Sequence, residues 1–291
     1  MKLAISILNR NWLTDTIECV DSIINSKFLD YKIFILDNGS NNKKEYDKLK
    51  EKYWTNKNIK INRSDENLWF TGGNNYNLSK ILEEKDIKYI MLLNNDCKVN
   101  KDFLKDFINK IEELEIVWIY GPIIKWYNNS IQAIWSYLNL WTGSSKRLKA
   151  IAGEYQKVDY VTGSCILIPM AIIEKVGILD DNFFAYWEET DYCVRAKKMW
   201  YSSYALNIEW IYHKEESAQK KIKPYYTYLM LRNRILFLKK HANWIQYFFS
   251  YLVLILYMSL VFPQNFGFKN YKYAIKGILH GIKWIWWPFK W

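Results

Sequence analysis

Cysteine is rare in this sequence, and its spacing excludes the common zinc-binding motifs. No Cys-x-x-Cys pair and no metal-finger spacing occurs among the four cysteines, which are Cys19, Cys97, Cys165 and Cys193. Scattered cysteines of this kind indicate structural thiols in a reducing compartment. We also expect no signal peptide, because the apolar run LAISIL at 3–8 is too short for one and lacks a small-residue cleavage site. We therefore expect the catalytic part to be cytoplasmic.

Glycine is scarce as well, whereas tryptophan is in excess. The chain holds 11 glycines but 15 tryptophans among its 291 residues. This glycine share of about 4% compares with about 7% in an average protein. The ratio of tryptophan to glycine is therefore inverted, and the positions of the tryptophans need an explanation.

Acidic residues are fewer than basic ones, 30 against 41, so the formal net charge is +11. A basic surplus favours nucleic acid, anionic lipid or a phosphorylated substrate as a partner. Nucleic acid would be supported only by this charge and by the aromatic content, so we expect no nucleic acid partner. Hydrophobic residues make up 50% of the chain, which is enough for one large domain or two small ones.

The first 125 residues alternate between strand-like and helix-like segments. Apolar runs typical of buried strands occupy 3–8, 31–36, 59–62 and 89–93, and another strand ends at Ile124. Amphipathic patterns between them predict helices at 15–25, 43–53 and 101–114. The stretch 64–80, SDENLWFTGGNNYNLSK, predicts a glycine-rich turn that opens a further helix. This series predicts an α/β fold, an open and mostly parallel sheet with helices on both faces.

The second half of the chain is less regular. Residues 126–165 mix aromatic residues with Gly, Ser and Asn, which predicts β-hairpins or loops. Further strands are predicted at 161–168 and 203–213, and further helices at 170–176, 189–199 and 225–240.

The tail changes character, and we divide the chain into a domain at 1–240 and a hydrophobic, basic tail at 241–291. Residues 244–262 hold no charge over 19 residues, which is just long enough to span a bilayer, but their polar and aromatic residues make a poor span. Residues 269–291 are rich in lysine and aromatic residues, as in interfacial anchors. We expect attachment to the membrane surface, with a true span and a buried core helix as the alternatives.

Three polar groups follow predicted strands, at the edge of an open α/β sheet where ligands bind. They are Asn9, the turn Asp37-Asn38-Gly39-Ser40, and Asn94-Asn95-Asp96. One polar turn after a strand is often only a turn, but three on one edge make a nucleotide site plausible. Asp37 has the chemistry to accept from a base N–H or a ribose hydroxyl. Asp96 has the chemistry to hold a hard divalent cation that bridges phosphates.

A second group of polar residues lies at 183–196, FFAYWEETDYCVRA. Glu188, Glu189 and Asp191 crowd three carboxylates at a helix start. One interpretation is that they complement the helix dipole. The other is that the neighbouring aromatic residues raise a carboxylate pKa, which suits a general base.

Two further positions admit two interpretations each. His213 follows a predicted strand and is either a structural histidine or a ligand. Arg232, Asn233 and Arg234 lie on a predicted helix and face either a diphosphate or water.

Taken together, these residues resemble family 2 of the inverting glycosyltransferases, which have the GT-A fold, and in particular its bacterial rhamnosyltransferase-like branch. The matching segments cover about 1–240 in the family's order. They are SILNRN at the first strand, LDNGS at 36–40, ENLWFTGGNN at 66–75, LLNNDCKV at 92–99, VTGSCILI at 161–168, VGILDDNFFAYWEETDYCVRAKK at 176–198 and YHKEES at 212–217.

The resemblance implies a role for each matching residue. It implies Glu189 as the catalytic base, in place of the family's usual Asp, with Glu188 and Asp191 positioning the acceptor. It implies a Mg²⁺ or Mn²⁺ site at Asp96, in the family's DxD position, completed by His213. The implied nucleotide and donor contacts are Asn9, Asp37, Asn38, Ser40, Gly72, Gly73, Asn74, Asn94 and Asn95.

The implied reaction is the transfer of a sugar, with rhamnose as one candidate, from a dTDP-, UDP- or GDP-linked donor. The acceptor would be a saccharide or a lipid-linked saccharide in cell-surface polysaccharide synthesis, at the cytoplasmic face of the cell membrane. A base on the acceptor hydroxyl and a stabilised leaving diphosphate suit one inverting displacement. The rival functions are a nucleotidyltransferase and a membrane-bound sugar-nucleotide-binding subunit without activity.

Several tryptophans stand where the family pattern or turn chemistry calls for glycine. Trp69 replaces the expected glycine in ENLWFTGG, and the other such positions are Trp12, Trp118, Trp135, Trp200 and Trp210. Tryptophan is a costly replacement where the backbone needs positive φ or close approach. We hypothesise that many of these tryptophans are glycines in the native protein, encoded by UGA and translated here as tryptophan. Trp187 is the expected exception. The alternative is that Trp69 is a stacking platform for a base or sugar.

Overall fold

A mixed eight-stranded sheet forms the centre of the protein in this computed structural model, which describes residues 2–133, 136–147, 150–151, 153–209, 211–214, 224–260 and 262–283. The strands are β1 (Leu3–Asn9), β2 (Tyr31–Asn38), β3 (Ile59–Ser64), β4 (Tyr89–Leu93), β5 (Cys97–Val99), β6 (Ile119–Gly121), β7 (Ile124–Trp126), β8 (Ile131–Ala133), β9 (Ser136–Asn139), β10 (Ser144–Arg147), β11 (Tyr155–Val158), β12 (Cys165–Pro169), β13 (Ser203–Leu206) and β14 (Ile211–His213). The helices are α1 (Leu13–Ile24), α2 (Lys44–Tyr53), α3 (Trp69–Ile81), α4 (Phe103–Glu113), α5 (Met170–Val176), α6 (Glu188–Lys198), α7 (Pro224–His241), α8 (Trp244–Leu260) and α9 (Phe262–Lys283).

The sheet has the strand order β11-β13-β6-β12-β4-β1-β2-β3. Strands β4, β1, β2 and β3 run parallel to one another, as the sequence predicts. Strand β12 runs antiparallel to both β4 and β6, so the sheet is mixed rather than mostly parallel at this point. All five residues of β12 are buried. A fully buried apolar run looks alike in either direction, so the sequence pattern does not reveal the reversal.

Helices cover both faces of the sheet, as predicted. Alternate residues of β1 point to opposite faces. Leu3 and Ile5 pack in one buried cluster with residues of α1 and α4, whereas Ala4 packs in a second cluster with residues of α3, α5 and α6. The carboxyl ends of β1, β2 and β4 therefore share one edge between two helical layers.

The predicted strand at 203–213 is two strands in different sheets, so the single-strand prediction is wrong. Strand β13 joins the main sheet, and β14 joins a four-stranded sheet of order β5-β14-β7-β8. In that sheet His213 pairs with Cys97 of β5. The change of sheet carries His213 to the turn that follows β4.

The predicted glycine-rich turn at 64–80 is also wrong in detail, because α3 already begins at Trp69. Gly72 and Gly73 lie inside this helix. A Cβ atom on Gly73 would lie 2.9 Å from both Asn38 Nδ2 and Leu8 Cδ1. Gly73 is therefore needed for close approach of α3 to the sheet, not for a turn.

The three C-terminal helices form a separate layer. Helix α9 packs tightly on α7, since a Cβ atom on Gly277 would lie 2.5 Å from the carbonyl oxygen of Tyr228. Helix α8 exposes much of its apolar surface, including Trp244, Phe248 and Leu256 at 78%, 55% and 59%. The alternative of a buried core helix is therefore wrong for α8. Across the described residues, no helix combines the length and apolar character that crossing a bilayer requires.

Candidate active site

Residues at the ends of the first three strands form one buried polar network. Asn9 Nδ2 donates to Asp37 Oδ1 at 3.1 Å and to Glu45 Oε2 at 2.9 Å. Ser40 Oγ also donates to Asp37, and Arg63 forms an ion pair with it. Asp37 is fully buried, so this carboxylate is held by its neighbours in a fixed position. The structure thus brings Asn9, Asp37 and Ser40 together, as expected.

Asn38 and the following glycine determine where α3 begins. Asn38 Oδ1 accepts from the Leu68 amide at 2.9 Å, and Asn38 Nδ2 donates to the Trp69 carbonyl at 2.8 Å. Gly39 has φ +70°, and a Cβ atom there would lie 2.5 Å from the backbone of Glu66 and Asn67. The turn after β2 therefore holds the start of α3 next to the sheet edge.

The turn after β4 joins His213 to Asp96. His213 Nε2 lies 2.9 Å from Asp96 Oδ1, and His213 Nδ1 lies 2.9 Å from Gln132 Oε1. The His213 ring is 4% exposed and stacks on Trp126 with 5.9 Å between ring centroids. His213 is therefore oriented from both of its ring nitrogens and from one ring face.

The donor atoms here fit a divalent cation. Ligand atoms of Asp96, Cys97 and His213 all lie within 4.8 Å of one another. A carboxylate and an imidazole suit Mn²⁺, and the carboxylate suits Mg²⁺. The Cys97 thiol is buried and donates to the Ser164 carbonyl at 3.6 Å. A soft thiol engaged in this way does not suit Mg²⁺ or Mn²⁺, so Asp96 and His213 are the residues of this group whose ligand atoms fit such a cation.

A cavity of about 180 Å³ adjoins the turn after β4. Its lining residues come from β1, α3, β4 and the turn, and they are Leu8, Phe70, Asn74, Leu93, Asn94, Asn95 and Asp96. Asn95 Nδ2 donates to Thr16 Oγ1 at 2.9 Å, and Asn74 Oδ1 accepts from Ser6 Oγ at 2.8 Å. Asn95 and Asn74 are thus fixed by α1 and by the sheet. Three of the predicted donor-site residues, Asn74, Asn94 and Asn95, meet at this cavity beside Asp96, the predicted metal ligand.

Two glutamates lie side by side at the start of α6. Glu188 is 4% exposed, and one of its carboxyl oxygens accepts no hydrogen bond within the described part of the chain. Burial, together with the neighbouring charge of Glu189, raises the pKa of Glu188 well above its ordinary value. The raised pKa therefore favours the neutral form of Glu188.

Residues 162–164 connect these glutamates to the turn after β4. A Cβ atom on Gly163 would lie 3.6 Å from Glu189 Cδ and 3.7 Å from Glu188 Oε1. The next carbonyl, that of Ser164, accepts from the Asn94 amide at 3.0 Å. The acid pair and the Asn94–Asp96 turn therefore contact opposite ends of one short segment.

Asp191 lies in a different environment from the two glutamates. It is fully buried, and its oxygens bind Arg195 at 2.8 Å and both Lys240 and His241 at 2.7 Å. Burial opposes ionisation, but the hydrogen bonds from His241 and Lys240 prevail and lower the pKa of Asp191 to about 2. Asp191 thus ties α6 to the end of α7, and its predicted contact with the acceptor stays a prediction.

Arg232 and Asn233 do not face water, so that interpretation is wrong for these two residues, whereas contact of 232–234 with a diphosphate stays a prediction. Arg232 and Asn233 are buried at 1% and 0% exposure and donate to backbone carbonyls that precede α6. Arg234 donates to the carbonyl of Thr142. Helix α7 is therefore a support for the segment that leads into Glu188.

The backbone separates the tryptophans into two groups. Trp69, Trp187 and Trp200 have φ of +60°, +75° and +71°, a region that favours glycine. Trp12 has φ −132°, and the half-buried Trp118 stacks on Tyr204 at 3.8 Å. Trp187 was the expected exception, yet it shares the left-handed conformation of Trp69 and Trp200. Trp135 and Trp210 lie outside the described residues.

Two residues of the site were not identified from the sequence. Arg63 pairs with Asp37 because Asp37 and Arg63 are neighbours in the register of β2 and β3. A basic residue at the end of the third parallel strand was the available signal. Gln132 comes from β8, which the sequence pattern did not resolve as a strand, so nothing pointed to its contact with His213.

The comparison with known families agrees with this geometry. A model described as glycosyl transferase family 2 matches residues 3–177, which is more than half of the 291 residues. The chain belongs to glycosyl transferase family 2. This confirms the resemblance found in the sequence motifs.

Two relatives of this chain are named as sugar transferases. The chain is 26% identical over 231 residues to the low-salt glycan biosynthesis hexosyltransferase Agl10 of Haloferax volcanii, covering 76% of this chain and 74% of that protein. It is 27% identical over 113 residues to the N-acetylglucosaminyl-diphospho-decaprenol L-rhamnosyltransferase of Mycobacterium tuberculosis, covering 36% of this chain and 34% of that protein.

Solved structures share the fold. A crystal structure of GalNAc-T7 with UDP, GalNAc and Mn²⁺ matches 95% of this chain and 55% of its own length, at a TM-score of 0.70 and 15% identity. A structure of Staphylococcus aureus TarS with UDP-GlcNAc matches 97% of this chain and 81% of its own, at 0.62 and 14%. At this identity the likeness shows the GT-A fold alone.

Proposed function

We propose that this family 2 glycosyltransferase moves a sugar from a nucleotide-diphosphate donor to an acceptor hydroxyl in a single inverting displacement. The observation that carries the proposal is the position of the glutamate pair. Gly163 adjoins Glu189, and Ser164 holds the Asn94–Asp96 turn beside the cavity. A base for the acceptor and a site for the donor phosphates are thus connected through two consecutive residues.

Glu189 is the proposed base. A carboxylate that accepts the acceptor proton during attack contributes by general base catalysis. Burial and the charge of Glu189 raise the pKa of Glu188, which favours a single negative charge on the pair.

The donor end uses the strand edge. Asp37, held by Arg63 and Asn9, is the proposed contact for the nucleotide base or ribose, and the cavity beside Asn74 and Asn95 is proposed to receive the sugar diphosphate. Asp96 and His213 are the proposed ligands of Mn²⁺ or Mg²⁺. When bound, such a cation neutralises charge on the leaving diphosphate.

We also propose that the acceptor lies at a membrane surface. Helix α8 has no charged residue and exposes Trp244, Phe248 and Leu256. Lys272, Lys276 and Lys283 lie exposed on the neighbouring α9. An apolar helix face beside lysines fits an anionic lipid surface without a span. The mycobacterial relative is named for a decaprenol-linked acceptor, so a lipid-linked saccharide is the proposed acceptor class, with rhamnose as one candidate sugar.

The proposed reaction is tested with a panel of UDP-, dTDP- and GDP-sugars in the presence of Mn²⁺. One donor should bind and transfer its sugar with inversion, as read from the anomeric configuration of the product by NMR. A product that retains the donor configuration would contradict the single displacement. Donor binding without any turnover would instead support a catalytically inactive binding subunit, and release of pyrophosphate would support a nucleotidyltransferase.

A further inference from the structure

The segment that leads into the glutamate pair has an unfavourable backbone conformation. Within residues 183–187, hereafter the base loop, Phe184, Tyr186 and Trp187 have φ of +60°, +69° and +75°. Positive φ at a residue other than glycine costs of order 1–3 kcal/mol and persists only where the surroundings enforce it. The base loop is followed directly by Glu188 and Glu189. An interaction that enforces its shape therefore also orients the proposed base.

Helix α7 provides that interaction through one side chain. Asn233 Nδ2 lies 2.7 Å from the carbonyl oxygen of Phe183 and 2.8 Å from those of Ala185 and Tyr186. Asn233 is fully buried. One amide group thus contacts three carbonyls of the base loop.

The orientation of this amide is fixed by its neighbour on the helix. Arg232 Nη1 donates to Asn233 Oδ1 at 2.7 Å and to the Asn182 carbonyl at 2.8 Å. Because a guanidinium only donates, Asn233 must present its oxygen to Arg232 and its NH₂ to the base loop.

Helix α3 holds the base loop from its other side. The backbone amide of Thr71 donates to the Phe184 carbonyl at 2.8 Å, and Thr71 Oγ1 donates to the same oxygen at 3.0 Å. Each of the five consecutive carbonyls from Asn182 to Tyr186 therefore lies within hydrogen-bond distance of a donor on α7 or α3. Helices α3 and α7 therefore both contact the peptide units just before Glu188.

We propose that Asn233 is a positioning residue that holds the base loop in its left-handed conformation and so orients Glu189 toward the acceptor. The proposal rests on the proposed role of Glu189 as base. Asn233 touches neither donor nor acceptor in this account. Its removal should lower the rate of transfer and leave donor binding unchanged.

The test uses two substitutions at Asn233 and two at Thr71, with a control on α7. Asn233→Asp keeps the shape but presents a carboxylate, which cannot donate, to three carbonyls. Asn233→Ala removes the group, and Thr71→Val removes only one hydroxyl donor. Ile235→Val is the control, since Ile235 is also fully buried on α7 and faces Gly281 of α9.

Both Asn233 variants should lower kcat by about tenfold to a hundredfold, because a small misplacement of a catalytic group has an effect of that size. Their Kd for the donor should stay within about twofold of the starting chain. Thr71→Val should lower kcat in the same direction, and Thr71→Ser should recover most of it. A folded Asn233→Asp chain with kcat within twofold of the starting chain would overturn the proposal. The proposal would also be overturned if Asn233→Ala and Ile235→Val lowered the thermal stability equally and Asn233→Ala lowered kcat no more than Ile235→Val did.

Two further measurements keep the proposal testable on its own. If the Asn233 variants do not fold, the Thr71→Val and Thr71→Ser pair decides, and equal kcat values for the pair overturn the proposal. Hydrogen exchange needs no turnover. Amides of 183–191 should exchange faster in Asn233→Ala while those of β1 do not change, and unchanged exchange at 183–191 overturns the proposal. Retained turnover in Glu189→Gln, by contrast, would contradict the assignment of Glu189 as the base. The hydrogen-exchange measurement would still report whether Asn233 holds the base loop.

Discussion

His213 Nε2 lies 2.9 Å from Asp96 Oδ1, although the two residues are separated by 117 positions in the chain. The contact exists because the chain leaves the main sheet after β13 and forms β14 in the small sheet. There β14 pairs with β5, the strand that directly follows the turn carrying Asp96. Gln132 holds the other ring nitrogen of His213. The small sheet thus places an oriented imidazole nitrogen beside the carboxylate of Asp96, as the proposed cation site requires.

This pair predicts how cation binding responds to substitution. Asp96→Asn and His213→Ala should each weaken Mn²⁺-dependent binding of the nucleoside diphosphate that the donor panel identifies by about tenfold or more, since changes even to groups around metal ligands have effects of 10- to 100-fold. Isothermal titration with and without Mn²⁺ measures this. Cys97→Ser is the control and should leave the Mn²⁺ dependence unchanged. An equal loss in Cys97→Ser would assign the thiol to the site instead.

The buried Asp191 predicts a pH dependence of stability. Its pKa is lowered to about 2 in the folded protein, against about 3.8 in the unfolded chain. A lowered folded-state pKa stabilises the fold at pH values above the unfolded pKa, and that contribution is lost as pH falls from about 4 toward 2. Arg195 of α6 and Lys240 and His241 of α7 are the groups that face the carboxylate.

The measurement compares urea unfolding of the starting chain and Asp191→Asn between pH 6 and pH 2.5. The ion pairs of Asp191 should make the starting chain more stable than Asp191→Asn by roughly 2 kcal/mol at pH 6. This contribution should become smaller as the pH approaches 2.5. Asp159→Asn is a matched control, because Asp159 pairs with an exposed lysine of the same helix. A difference that does not change with pH would contradict the ion-pair account of Asp191.

Trp200 predicts that a glycine substitution stabilises the chain. Its amide donates to the Lys197 carbonyl and that of Tyr201 donates to the Ala196 carbonyl, which is the Schellman pattern with glycine preferred at this position. Its side chain is 92% exposed, so little packing is lost on removal. Trp200→Gly should therefore raise the unfolding free energy by about 1 kcal/mol.

Met199→Gly is the control for Trp200→Gly, because Met199 is exposed and has φ −103°. It should not stabilise the chain. If Trp200→Gly is no more stable than the starting chain, the hypothesis of a native glycine loses its physical basis at this position. Tandem mass spectrometry of the tryptic peptide 64–80 from the source cell gives the matching test at Trp69, where the mass should correspond to glycine.

The exposed face of α8 predicts binding to lipid vesicles. Phe248→Asp and Leu256→Asp should each weaken cosedimentation with anionic vesicles by about tenfold, the equivalent of losing roughly 1.5 kcal/mol of apolar burial. Leu29→Asp is the control, since Leu29 is 76% exposed in a loop far along the chain from α8. If neither α8 variant binds less than the control, the membrane proposal is wrong.

The elements that were predicted well are those with an unambiguous period. Helix α5 has the predicted bounds, and α2, α4 and α7 end within one or two residues of theirs. The direction of β12 could not be predicted, because direction is decided by the neighbouring strands. The division of 203–213 into β13 and β14 depends on two separate partners. Short strands such as β8 carry too few residues for a period.

The candidate site also has parts that could be predicted from the sequence and parts that could not. Asn9, Asp37 and Ser40 were predicted to meet because parallel strands end at one edge, and they do meet. The sequence singled out Asn233 but not its proposed role, because that role depends on contacts with three backbone carbonyls, which have no sequence signature. A contact between two side chains requires two particular residue types, which can be identified in the sequence. A contact between a side chain and a backbone carbonyl requires only one, because every residue has a carbonyl.

The most direct test of the account is the turnover of Glu189→Gln with the donor identified by the nucleotide-sugar panel. Gln keeps the size of the side chain but cannot accept the proton, so kcat should fall by about 10²- to 10⁴-fold while donor Kd is unchanged. Glu174→Gln on α5, an exposed position with the same change of charge, should retain full turnover. Turnover of Glu189→Gln within a few fold of the starting chain would contradict the assignment of Glu189 as the base.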